Sequence, residues 1–151
     1  MSPLPPPCPL DDDALLAAFL TTAISAKDFH HREHVRVVWK LIATVGQEPA
    51  REQFVKALVA LARAHGADQL YHETLTRAWV ELIAEAVRST PEALTSDEFL
   101  GRHPELLDRS ILHRFYSPEL LASDEARISW IAPDRLPISG TIGESGDPTG
   151  V

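Results

Sequence analysis

The chain has 151 residues, enough for one domain with a real hydrophobic core, and a composition ordinary for a globular protein in water. Its formal net charge of −8 argues against sequence-independent binding to nucleic acid, which needs a basic footprint, and no Lys/Arg cluster reverses the sign locally. A single cysteine, Cys8, excludes an intramolecular disulfide and argues against a thiolate metal site.

No apolar run approaches the ~20 residues of a membrane span. The N-terminus lacks the basic-then-apolar pattern of a secretory signal, so a cytoplasmic location is expected. Residues 1–10 contain five prolines and are predicted to be a disordered leader. Asp11, Asp12 and Asp13 then offer cap and first-turn carboxylates to a helix with Leu15, Leu16, Phe19, Leu20 and Ile24 on its face, ending near Ser25.

Asp28 is the predicted N-cap of a second helix that runs to about Thr44 and stops at Gly46. This helix carries three of the seven histidines within five residues: His30, His31 and His34. Its apolar stripe, Val35, Val38, Leu41, Ile42 and Val45, has helical spacing, and His31 and His34 fall inside that stripe. Glu33 and Arg36 fall outside it, and Trp39 is read as a packing residue at its border. Pro49 opens a third helix at a position where its missing N–H does no harm, and His65-Gly66 ends it with a dipole-favouring histidine and a left-handed glycine.

A fourth helix is predicted from Asp68, as cap, to Arg88, with Tyr71, Leu75, Ala78, Trp79, Leu82 and Ile83 inward. His72 shares that inward face with Thr76, whereas Glu73, Arg77, Glu81, Glu85 and Arg88 face away as a solvated, salt-bridged surface. Thr95-Ser96-Asp97 caps a brief helix through Phe99 and Leu100, and Pro104 starts another that carries Leu106, Leu107, Ile111, Leu112 and Phe115. Trp130-Ile131 is expected to pack back onto the bundle, and residues 133–151 read as a flexible tail. With no alternating apolar segment, the chain is expected to be all-α. The expected fold is a single-domain bundle over residues 11–132, with four main helices plus short C-terminal ones.

Inward histidines on facing helices can build a metal site. His31, His34 and His72 are the expected ligands of a divalent transition metal, zinc or iron, with an open fourth position. Glu73 would serve as fourth ligand or general base, and Tyr71 and Thr76 complete the candidate catalytic set. Arg114, Trp79 and Tyr116 are the candidate substrate-binding residues, an arginine over the bundle mouth being suited to a carboxylate or phosphate.

Two other readings stay open. The histidines can serve a metal-free cyclase or isomerase as general acid and base, or they can be satisfied core residues of a non-catalytic helical interaction module. His30 to His34 also spells H-x-x-E-H, the signature of inverted zinc proteases. The glutamate lies off the core face, however, and that fold carries sheet. The partner expected is a small-molecule substrate, with neither nucleic acid nor membrane; a homodimer is left open.

Phe29-x-His31-x-x-His34-Val35-Arg36, taken with Tyr71-His72-Glu73-Thr74-x-Thr76 and Trp79, resembles a group of small all-α bacterial proteins. The likeness extends through Tyr116-Ser117-Pro118, Arg127, Trp130 and Pro133-Asp134, and spans about residues 25–137. It implies a shared site and lends no reaction. In architecture alone, three histidines converging in a bundle are similar to the DinB/YfiT-like metal proteins.

Overall fold

The computed structural model describes residues 8–138. Among the described residues there are helices, turns and connections and no strand, as the periodicity predicts. Four main helices come first: α1 (Asp12–Leu20), α2 (His31–Val45), α3 (Gln47–Ala64) and α4 (Glu73–Ser89). Three short ones follow: α5 (Ser96–Arg102), α6 (Pro118–Leu121) and α7 (Asp124–Ile128).

Helix α2 is the central element and packs on α1, α3, α4 and α5. Val35, Val37, Val38, Trp39 and Leu41 are all buried, so α2 is covered on more sides than a single stripe describes. Full burial of each such side chain is worth about 1.5–3 kcal/mol. Trp39, read as a border residue, is buried and stacks on Phe99 of α5 at a centroid distance of 6.2 Å.

The N-terminal segment covers part of α2. Residues 1–7 lie outside the described residues, but Cys8 to Leu10, expected in the disordered leader, are docked against the bundle. The Cys8 N–H donates to Glu33 Oε2 (3.1 Å), and Arg36 donates to the Cys8 carbonyl (3.4 Å) and the Leu10 carbonyl (2.6 Å). Arg36 also meets Asp12 Oδ1 at 3.2 Å, and Asp12 in turn accepts from Ser96 Oγ at 2.6 Å, which ties α1 and α5 to α2. Glu33 and Arg36, which the stripe places outside the core face, are therefore buried. Apolar periodicity cannot detect a face whose partners are backbone carbonyls and N–H groups.

Several helix ends differ from the predicted ones. Helix α1 stops at Leu20 because the Thr21 hydroxyl bonds back to the Ala17 carbonyl (2.9 Å) and Thr22 turns the chain at φ +57°, a costly conformation for a β-branched residue. Asp28 does not cap α2. It sits in a 3₁₀ turn, Ala26–Asp28, and accepts from Ser25 Oγ at 3.1 Å. His30 is the N-cap, and Glu33 accepts from its backbone N–H at 2.9 Å, the return half of a capping box.

Asp68 likewise begins a 3₁₀ turn, Asp68–Leu70, and the cap of α4 is His72. The helix predicted from Pro104 is two 3₁₀ turns, Pro104–Leu107 and Arg109–Arg114, separated at Asp108, whose carboxylate accepts from the Ser110 N–H at 3.0 Å. Helix α3 ends as read, with His65 at its C-cap and Gly66 at φ +67°.

Trp130 packs on the core, and the Ile131 N–H donates to Thr74 Oγ1 at 3.1 Å. The start of the expected tail is tied down: Asp134 accepts from the Ser117 N–H (2.8 Å) and hydroxyl (2.6 Å), and the Arg135 N–H donates to the Phe115 carbonyl (2.9 Å). The remainder, from residue 139, lies outside the described residues. No described helix is long and apolar enough to cross a membrane.

Candidate functional site

Helices α2, α3 and α4 do not close fully on one another. Between them, capped by the turns before α2 and α4, lies a cavity of about 730 Å³. That is within the range of small-molecule sites, which are mostly apolar with a few placed polar groups. Phe29, Phe54, Leu58, Leu75 and Trp79 supply apolar wall. Five of the seven histidines line the same space: His30, His31, His34, His65 and His72. Histidines scattered along the sequence are thus brought to one place.

Their bonding separates them. His72 is used twice by the fold. Its Nδ1 accepts from the Leu75 N–H (3.1 Å), so the proton sits on Nε2, which donates to the Leu121 carbonyl (2.8 Å). It is the N-cap of α4 and a tie to α6, not a residue on the inward stripe of a continuing helix. His65 Nε2 lies 3.2 Å from the Ile24 carbonyl, a cap and tether.

His31 Nε2 lies 2.8 Å from the Leu106 carbonyl, which can only accept; the neutral ring therefore carries its proton there and keeps a lone pair on Nδ1. Its ring also meets Trp79 edge-on at 4.4 Å. His34 makes no side-chain hydrogen bond to a described residue; its ring stacks on Phe29 at 4.3 Å and meets Phe54 edge-on at 6.2 Å.

The electrostatics follow from these surroundings. Burial drives His34 down to about 3, helped by the charges of His31, Arg109 and His30, so the ring is neutral at any ordinary pH. Burial also lowers His31, against the pull of its bond to Leu106 and with the help of Arg109. A half-buried imidazole with no partner among the described residues calls for an explanation, and a ligand in the cavity is the direct one.

The other predicted site residues divide. Tyr71, Thr76 and Trp79 line the cavity. The Tyr71 hydroxyl donates to Glu73 Oε1 at 2.7 Å, and burial with that carboxylate raises its pKa. The Thr76 hydroxyl bonds back to the His72 carbonyl at 2.7 Å within its own helix. Glu73 is not on the cavity wall: it is held by Tyr71 and by Arg77 at 3.6 Å, and Arg77 lies over the Trp130 ring at 5.1 Å.

Arg114 is exposed and away from the cavity, and Tyr116 is a fully buried core residue whose hydroxyl donates to the Ile131 carbonyl at 2.8 Å. The two substrate-binding roles expected of Arg114 and Tyr116 do not fit these positions. The arginine on the cavity wall from that region is Arg109, which no spacing in the sequence singles out.

Among the described residues, no three His, Cys, Asp or Glu side chains are grouped so that they could hold a metal ion. The chain matches no protein-family model, no curated protein and no solved structure.

Proposed function

We propose that the protein binds a small organic molecule in the α2–α3–α4 cavity and acts on it by metal-free acid–base chemistry, as a cyclase or isomerase does. One observation carries this reading: two neutral imidazoles, His31 and His34, sit in one largely apolar cavity with ring nitrogens that the described residues do not use. In this reading His31 is the proton acceptor. Its Nε2–H is fixed on the Leu106 carbonyl, so Nδ1 holds the available lone pair, the arrangement that an orienting group gives a catalytic histidine. His34, whose proton affinity is too low for a resident base, orients the substrate by hydrogen bonding. Tyr71, held by Glu73, is the second polar contact.

A zinc or iron centre on His31, His34 and His72 is the competing proposal. It requires His72 to give up both the Leu75 N–H and the Leu121 carbonyl, and Glu73 to leave Tyr71. The likeness to small bacterial helical proteins sits with either proposal.

The test is a small-molecule screen by thermal shift on chelator-dialysed protein, with Ala62→Trp as a filled-cavity control, since Ala62 lines the wall. Binders are expected without added metal and are expected to disappear in A62W. Binding that appears only with zinc or iron, or that survives in A62W, overturns the reading.

A further inference from the structure

We infer that the cavity takes a monocarboxylate with an apolar body, and that Arg109 at its wall is the counter-ion. This rests on the small-molecule reading above and names the ligand class.

Acidic residues outnumber basic ones 22 to 14, and five of the eleven arginines are ion-paired among the described residues. These are Arg36, Arg51, Arg77, Arg88 and Arg102. Arg32 and Arg109, the two arginines on the cavity wall, have no carboxylate partner among the described residues. Arg63, Arg114, Arg127 and Arg135 also lack one among the described residues, but they lie outside the cavity, and Arg127 and Arg135 donate to the backbone carbonyls of Gln69 and His113. The one carboxylate on the cavity wall, Glu33, is occupied: one oxygen accepts from the Cys8 N–H and the other from the His30 N–H. The wall is thus locally positive in an acidic protein, and besides the five histidines and Thr76 the rest of its lining is aromatic and aliphatic. A carboxylate can take the guanidinium in a two-pronged contact while its apolar body fills the space beside Phe29, Phe54 and Trp79.

Arg109 also links binding to chemistry. Burial is the main cause of the lowered proton affinity of His31 and His34, and the charge of Arg109, on the same cavity wall, adds to it. A carboxylate that neutralises Arg109 removes that smaller contribution and makes His31 a somewhat better proton acceptor.

The experiment compares 2-naphthoate with 2-naphthylmethanol, matched apolar bodies with and without the charge, by titration calorimetry at low ionic strength. Wild type is expected to bind the acid roughly tenfold more tightly, and added salt is expected to erode the difference. Arg109→Gln is expected to bring the acid to the alcohol's affinity and leave the alcohol unchanged. Equal binding of the two probes by wild type, or an equal loss of both in R109Q, overturns the counter-ion role while leaving the cavity reading intact. Failure of both probes to bind, with other compounds binding in the screen, overturns the ligand class alone; an empty screen takes the cavity reading down as well.

Discussion

Helix α2 carries two polar pairs at the same three-residue step, and they meet opposite fates. Glu33 and Arg36 are buried and fully engaged, by the N-terminal segment on one side and by Asp12 and Ser96 on the other. His31 and His34 face the cavity; only one of their four ring nitrogens has a partner among the described residues. The first pair is buried outright and the second half-buried, and that difference in exposure is only part of the contrast. The other part is whether the fold satisfies the group that it buries.

The contrast breaks most visibly at Arg36. Arg36→Ala takes the counter-ion from Asp12, leaving it only its Ser96 hydrogen bonds, and frees two backbone carbonyls; a loss of about 3 kcal/mol in denaturant unfolding is expected, the low end for removing one partner of a buried pair because Asp12 is half-buried. Burial raises Asp12, but the Ser96 hydrogen bonds and Arg36 outweigh that and leave its pKa below the ordinary value. This part of the stability is present above the ordinary carboxylate pKa near 3.8 and is lost as the pH falls below it.

The cavity pair responds to pH higher up. The unfolded chain protonates at the ordinary histidine value of 6.5, the folded His34 only at about 3. Stability present above pH 6.5 is therefore lost on acidification through that window, at about 1.4 kcal/mol per pH unit from this ring alone. His31 adds in the same direction. His34→Leu, examined by urea melts from pH 7 to pH 4, is expected to be as stable as wild type at pH 7 and to lack this ring's share of the acid slope. An unchanged slope would assign the acid sensitivity elsewhere.

His72 gives the smallest effect and sharpens the distinction between cap and ligand. His72→Ala is expected to cost about 1–2 kcal/mol through the lost cap and the lost tie to Leu121, with ligand affinity reduced less than twofold. His72→Asn is expected to recover the cap share. A loss of binding greater than that of His34→Leu would return His72 to the centre of the site.

The sequence made some of this legible and hid the rest for identifiable reasons. The inward placement of His31 and His34 followed from the valines beside them, and His65-Gly66 and Thr95 announced their helix ends by composition. Sequence alone does not place His72 at a helix cap, because Tyr71 and Leu75 continue the apolar spacing of α4 backwards, while Asp68 and Asp28, good caps by type, belong to 3₁₀ turns. The burial of Glu33 and Arg36 depends on a segment 25 or so residues away docking its backbone on them, which no local pattern encodes. Arg109 reaches the cavity only because the chain breaks at Asp108 into two short turns. Histidine grouping pointed to a shared location, and it could not tell which nitrogens the fold would keep for itself.

The most direct test of the central claim is a ¹⁵N NMR titration of the His34 ring from pH 8 to pH 4.5. A neutral ring throughout, without an inflection, is the expected result. A midpoint near 6.5 would mean that His34 sits in water rather than in the cavity wall, and the site proposed here would not exist.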